Sequence, residues 1–185
     1  MKNIKFLTQY MTNPRTVGAV LPSSKYLSHK MLDKVNFKAA TCIIEYGSGT
    51  GAFTKEILKK RNKDTIIILI EYNKEFFKLL KANFEHEENL FIINDSAENI
   101  EKHLCDLKIT SVDFIVSGLP FASLPTEMSE RILTNTLKIL DQNGVFITFQ
   151  YTKCKISFME QFFSTINVEK EYRNVPPAYI LTCKK

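Results

Sequence analysis

From about residue 40 onward, short runs of β-branched and apolar residues alternate with longer segments of helical period. Thr41–Tyr46 (TCIIEY) reads as a strand, followed by a Gly-rich turn and a helix over Phe53–Arg61. Thr65–Glu71 (TIIILIE) is a nearly continuous apolar run of strand length, the pattern of a strand buried on both faces. The spacing then predicts a helix at about Lys74–Phe84, a strand over Leu90–Asn94 and a short helix near Ala97–Leu104. A strand over Val112–Ser117, a helix over Thr126–Leu140 and a strand over Val145–Tyr151 follow, with Asn143-Gly144 as the stop signal between the last two. A helix near Phe158–Ile166 precedes two extended runs, Val168–Asn174 and Ala178–Cys183, separated by Pro176-Pro177. Strand–helix alternation of this kind builds a parallel sheet covered by helices on both faces. The Pro-Pro link is too short for a helical crossover, so the last two strands must pair antiparallel.

The rest of the sequence narrows the class. At 185 residues the chain suits a single α/β domain, preceded by two helical pieces, Lys2–Met11 and Ser24–Val35. The formal net charge is +5, and it is uneven. Residues 1–38 hold seven basic side chains against one acid (Asp33), which leaves 18 basic against 19 acidic over residues 39–185. A basic front on a near-neutral body points to an anionic surface. No apolar run approaches the roughly 20 residues of a membrane helix, and Lys2, Lys5, Thr8, Gln9 and Asn13 interrupt any signal-peptide pattern. Cys42, Cys105, Cys154 and Cys183 are widely spaced; they read as reduced thiols buried as small hydrophobes, with no metal site.

The first strand ends in Glu45-Tyr46-Gly47-Ser48-Gly49-Thr50-Gly51, where glycines let the backbone approach a ligand closely. The crevice at the carboxyl ends of such strands is the usual binding place in an open α/β sheet. Glu71, followed by Tyr72, ends the second strand, where a carboxylate can accept bonds from both hydroxyls of a ribose. Asp95-Ser96-Ala97 ends the third, where a carboxylate can meet an adenine amine. This constellation resembles the cofactor site of the class I S-adenosylmethionine-dependent methyltransferases, a Rossmann-like three-layer α/β sandwich with a seven-stranded, mostly parallel sheet. The resemblance implies S-adenosyl-L-methionine as cofactor, held by Glu45, Gly47, Ser48, Gly49, Gly51, Glu71, Tyr72, Asp95, Ser96, Ala97 and Ser117. A dinucleotide site would more usually place its third glycine one step later.

The fourth strand ends Ser117-Gly118-Leu119-Pro120-Phe121. Gly118–Phe121 resembles the Asn-(Leu/Pro/Ile)-Pro-(Tyr/Phe) tetrapeptide of adenine-amine methyltransferases, with glycine in place of asparagine. The side-chain acceptor is missing; backbone carbonyls and the Phe121 ring remain, and an aromatic face can hold an alkylammonium. Asn13–Ser24 (NPRTVGAVLPSS), SGLPF and Asn174-Val175-Pro176-Pro177-Ala178 together resemble the bacterial phospholipid N-methyltransferases, relatives of the rRNA adenine dimethyltransferases. That resemblance implies a lipid amine substrate such as phosphatidylethanolamine at an anionic membrane surface. Pro22-Ser23-Ser24 suits a helix start, so Ser23, Ser24, Arg15 and Lys25 are candidates for a phosphate or carboxylate.

Ile4, Phe6, Leu7, Tyr10 and Met11, flanked by Lys2 and Lys5, make a front helix that either lies in a membrane interface or packs back as a lid. The expected location is cytoplasmic, peripheral on the inner face of the membrane. The acceptor amine must be neutral to attack; Tyr26, His29, Tyr151 and Tyr179 are candidate helpers, with Tyr151 at the end of the fifth strand placed best. Two alternatives stand beside the lipid enzyme. An rRNA adenine N-methyltransferase predicts Asn at position 118 and a basic C-terminal module, neither of which the sequence has. The other is a non-catalytic, S-adenosylmethionine-binding adaptor.

Overall fold

The computed structural model describes residues 25–185. The elements are α1 (Lys25–Leu32), β1 (Cys42–Tyr46), α2 (Ala52–Lys60), β2 (Ile66–Ile70), α3 (Lys74–Phe84), β3 (Leu90–Ile93), α4 (Ile100–Asp106), β4 (Val112–Ser117), α5 (Thr126–Ile139), β5 (Leu140–Gln150), α6 (Ile156–Met159), β6 (Thr165–Glu171) and β7 (Ala178–Lys184). A 3-10 turn, Ala97–Asn99, leads into α4. All seven strands form one sheet in the order β3-β2-β1-β4-β5-β7-β6. The pairs from β3 to β5 are parallel, and β7 runs antiparallel to both β5 and β6, so the expected hairpin closes the sheet.

The central strands are apolar on both faces because helices cover both. Every residue of β1 is buried, and Ile67, Ile68 and Leu69 of β2 have no exposed surface. Burying each of those side chains is worth about 2 kcal/mol. On one face α1, α2 and α3 contribute Leu27, Met31, Phe53, Ile57 and Leu80; on the other α4 and α5 contribute Ile100, Leu104, Ile132 and Leu133. α1, although it belongs to the basic front, is thus built into the core. Asn73 caps α3, its side-chain oxygen accepting from the Glu75 and Phe76 amides at 2.9 and 3.2 Å.

Several expected boundaries differ. The helix expected near Phe158–Ile166 is only the single turn of α6, and β6 starts at Thr165 rather than Val168. Phe158, Phe162 and Phe163 imitate a helical stripe, but the turn ends so that the Phe163 ring can stack on Phe146 at 5.4 Å and 4°. Thr165–Val168 then follow with the β-branched residues of a strand. Asn143-Gly144 does not stop a helix: it lies inside β5, where the pairing with β4 is irregular between Val112 and Phe114. Of the cysteines, Cys42 and Cys183 are buried as expected, whereas Cys105 and Cys154 are exposed.

Candidate active site

The carboxyl ends of β1, β2, β3 and β4 converge on one cleft, lined by Gly47, Glu71, Tyr72, Asp95, Ser96, Ala97 and Leu119, with Leu124, Met128 and Ile132 behind them. The loop after β1 takes positive φ at Gly47, Gly49 and Gly51. At Gly51, where φ is +82°, a β-carbon would be strained and would lie 2.6 Å from the Phe84 ring, which would have to move. Above Gly49 the nearest 4 Å is open, so the loop presents bare backbone to the space over it.

Glu71 is fully buried, yet both of its oxygens are engaged. Oε2 accepts from the Gly49 amide and Oε1 from the Asn73 amide, each at 2.8 Å. Burial raises its pKa, with these amides opposing. Glu71 therefore ties the glycine loop to the end of β2 and still has lone pairs to offer. Asp95 has three partners. Oδ1 accepts from the Ser96 amide at 2.7 Å and Asn99 Nδ2 at 2.9 Å, and Oδ2 lies 2.7 Å from His103 Nε2. Burial pushes the Asp95 carboxyl up, but His103, Asn99 and Ser96 together hold it below the usual range.

Glu45 is 1% exposed and receives a 2.7 Å bond from Thr54 Oγ1 on Oε2, while Oε1 and Ser48 Oγ, both buried, lie near one another without a well-formed hydrogen bond. Burial pushes Glu45 up to about 8, the Thr54 bond opposing and the Glu71 charge adding to the rise. Two poorly satisfied buried polar atoms beside an open glycine loop fit a site built for a polar ligand.

Ser117 ends β4 fully buried, and its Oγ accepts from the Leu119 amide at 3.2 Å. The Gly118 amide donates to the Tyr46 carbonyl at 2.8 Å. The loop Gly118–Phe121 is braced by a residue the sequence reading missed. Gln150, at the end of β5, donates from Nε2 to the Leu119 carbonyl at 3.3 Å and accepts the Ala122 amide on Oε1 at 3.2 Å. Its signal was a polar residue ending the apolar run Val145–Phe149. Thr54, Asn99 and His103 were missed likewise, since no motif marks them as partners of Glu45 and Asp95, four to nine residues away.

One expected role is corrected. The Phe121 ring does not face the cleft; it has no exposed surface and meets Phe146 edge-on at 6.1 Å in the core. Tyr151 lies just beyond β5 with its ring against Phe149 at 5.6 Å, and burial raises its pKa, with Asn174 opposing, so it stays a protonated phenol at neutral pH. Tyr26 and His29 line a different groove, between α1 and Arg173, and Tyr179 lies between Lys153 and Lys170. None of these four lines the cleft. Lys25 is exposed at the start of α1; Arg15, Ser23, Ser24 and the front helix Lys2–Met11 lie outside the described residues. Among the described residues there is no cluster of metal-ligating side chains, and no helix long and apolar enough to cross a membrane.

A 3-2-1-4-5-7-6 sheet with a glycine loop after β1 and buried or half-buried acids after β2 and β3 is a Rossmann-like methyltransferase architecture. Solved structures share it. The chain superposes on a precorrin-6y C5,15-methyltransferase from Geobacter metallireducens with a TM-score of 0.70 at 15% identity, covering 91% of this chain and 92% of that one. It superposes on an O-methyltransferase from Bacillus cereus with a TM-score of 0.68 at 11% identity, covering 100% and 91%. At these identities the likeness is one of fold.

Residues 2–165 match the model of the ribosomal RNA adenine dimethylase family, and the chain belongs to that family. It is accordingly an S-adenosylmethionine-dependent methyltransferase. An ornithine lipid N-methyltransferase of Singulisphaera acidiphila is 27% identical over 184 residues, 97% of this chain and 94% of that protein. Ribosomal RNA small subunit methyltransferase A of Mycoplasma mycoides is 34% identical over 119 residues, covering 62% of this chain and 40% of that longer protein.

Proposed function

We propose that the protein is an N-methyltransferase acting on the amine of a membrane phospholipid or amino lipid, such as phosphatidylethanolamine, at the inner face of the cell membrane. Gly118 carries this reading. An adenine-amine enzyme of the family offers an asparagine amide where this chain has glycine, and the Gly118 position packs against the Gly47 carbonyl, with a β-carbon there only 3.0 Å from it. The end-to-end likeness to an ornithine lipid N-methyltransferase supports the same substrate class.

The cofactor would lie along the carboxyl ends of β1–β3, with Glu71 and Tyr72 toward its ribose, Asp95, Ser96 and Ala97 around its adenine, and Glu45, Ser48 and Ser117 near its methionine end. Gly47, Gly49 and Gly51 give the close backbone approach. When bound, it supplies an electrophilic methyl group on a sulfonium. The remaining work is positioning, since an in-line displacement gains most from orientation. Gly118, Leu119 and Pro120 would form the acceptor wall, with the Gly118 carbonyl orienting the amine, the Leu119 and Pro120 carbonyls being filled by bonds within the loop and from Gln150, which holds that wall in place.

A free lipid amine titrates near lysine, at about 10. Withdrawal from water beside Leu119, Leu124 and Met128 favours the neutral, nucleophilic form. Phe121 supports this wall from the core rather than meeting substrate. Lys25, with Arg15, Ser23 and Ser24, would hold the lipid phosphate or carboxylate.

The family match and the likeness to an rRNA methyltransferase favour a second reading, methylation of an rRNA adenine. Incubation with labelled S-adenosylmethionine, in parallel with vesicles of phosphatidylethanolamine and phosphatidylglycerol and with deproteinised ribosomal RNA, separates the two. Label in lipid is expected. Label confined to RNA establishes the second reading, and cofactor binding without transfer anywhere establishes an adaptor.

A further inference from the structure

The β6–β7 turn, residues 172–177, lies at the same end of the sheet as the cleft. Gln150 at the end of β5 pairs with Tyr179, and Tyr179 pairs with Lys170, so the turn continues the rim formed by the carboxyl ends of β1–β5. α1 meets it there: Lys30 Nζ donates to the Lys170 carbonyl at 2.9 Å, and the Arg173 guanidinium stacks 4.6 Å over the Tyr26 ring.

This rim carries an unusual surface. Tyr172 and Val175 are each 71% exposed and Tyr26 is 52% exposed, three of the six large hydrophobic side chains exposed among the described residues. Val175, Pro176 and Pro177 form an apolar tip with no charge in it. Cations lie beside the turn, with Lys170 4.7 Å over the Tyr172 ring. Lys170 and Lys153 have no carboxylate partner among the described residues and lie against the Tyr179 ring, at 5.3 and 5.2 Å. The acids close by are already paired: Glu171 is buried and bonded to Arg173, Glu169 pairs with Lys30 and Lys34, and Asp33, in the groove beside Tyr26, pairs with Lys60 at 3.7 Å. What reaches solvent is an apolar, tyrosine-bearing tip with two uncompensated lysines, Lys153 and Lys170, beside it.

We infer that the β6–β7 turn is a membrane-docking element, with Tyr172 and Val175 entering the headgroup region of an anionic bilayer and Lys153 and Lys170 contacting its phosphates. Tyrosine suits that depth, with an apolar ring and a wet hydroxyl. Lysine at an anionic surface adds a long-range attraction that salt screens. Docked in this way, the rim would bring the end of β4 and its acceptor wall to the lipid. The inference rests on the lipid reading above and adds to it the surface that finds the membrane.

The sequence contains no tryptophan, so Val175→Trp gives a single-site depth reporter in the full chain. Its fluorescence is measured on vesicles of phosphatidylethanolamine and phosphatidylglycerol with brominated acyl chains. Quenching is expected. The double variants Tyr172→Ser/Val175→Ser and Lys153→Glu/Lys170→Glu should each partition to these vesicles about tenfold or more weakly, with S-adenosylhomocysteine affinity and thermal melting unchanged. An unquenched Trp on protein that does sediment with vesicles overturns the inference. So do double variants that sediment like wild type, or variants that lose ribosomal RNA binding and keep vesicle binding. Lipid methylation with an unquenched Trp would refute the docking element alone. A quenched Trp with no lipid methylated would refute the lipid-enzyme reading alone.

Discussion

Gly118 sits against Gly47 so closely that a β-carbon on it would stand 3.0 Å from the Gly47 carbonyl oxygen. The end of β4 and the glycine loop after β1 are therefore fitted backbone to backbone, and the Gly118 amide seals the contact by donating to the Tyr46 carbonyl at 2.8 Å. Substitution at position 118 disturbs the cofactor loop as well as the acceptor wall.

Gly118→Asn should consequently fail to convert the enzyme to an adenine methyltransferase. It should cost about 1–3 kcal/mol of stability through overpacking and weaken S-adenosylhomocysteine binding. Urea melts, calorimetric titration and an RNA methylation assay check this. Wild-type stability together with new RNA activity would refute it.

Glu71 holds the Gly49 amide with one oxygen and the Asn73 amide with the other. Glu71→Ala leaves both donors without that partner, each at a cost of about 1–3 kcal/mol if it stays buried, and it removes the carboxylate proposed to accept from the ribose. Titration calorimetry should show cofactor affinity falling at least about tenfold, the equivalent of 1.4 kcal/mol. Unchanged affinity would take Glu71 out of the site.

Burial pushes the Glu45 carboxyl up to about 8, so the folded protein keeps this proton to higher pH than the unfolded chain does. The unfolded chain binds fewer protons between the ordinary carboxylate range, roughly 4 to 5, and about 8. Glu45 therefore lowers the stability of the ligand-free protein as pH rises through that window, by at most about 1.4 kcal/mol per pH unit. Glu45→Gln keeps an acceptor for Thr54 and has no proton to lose. Its melting temperature should fall less than that of wild type between about pH 5 and pH 8, and parallel curves would contradict the assignment.

Gln150 grips the acceptor loop at Leu119 and Ala122. Gln150→Leu should lose about 1–2 kcal/mol, from two hydrogen bonds, and lower kcat while leaving cofactor affinity near wild type, because its contacts are with the acceptor loop and not the glycine loop. Equal losses in cofactor affinity and kcat would show that the two loops are not separable in this way.

The parallel core was legible because its physics is local. Thr65–Glu71 can hide so many apolar side chains only between two helical layers, and glycines at positions 47, 49 and 51 mark a loop that needs positive φ. Glu71 and Asp95 could be read from their place at strand ends. Contacts between distant residues left no such mark. Gln150 reaches Leu119 only after β4 and β5 have paired, His103 reaches Asp95 only once the 3-10 turn and α4 have formed, and Phe121 is drawn into the core by Phe146, 25 residues away. The start of β6 was obscured because Phe158, Phe162 and Phe163 follow a helical spacing while serving a turn and a ring stack.

The central claim is that the acceptor is a lipid amine. Its most direct test is kcat/KM for phosphatidylethanolamine in phosphatidylglycerol vesicles against kcat/KM for unmethylated ribosomal RNA, both with saturating S-adenosylmethionine. Turnover on the lipid is expected, with methylated headgroups recovered by mass spectrometry and RNA turnover at background. Methylated adenine in the RNA with an unmodified lipid pool would contradict it.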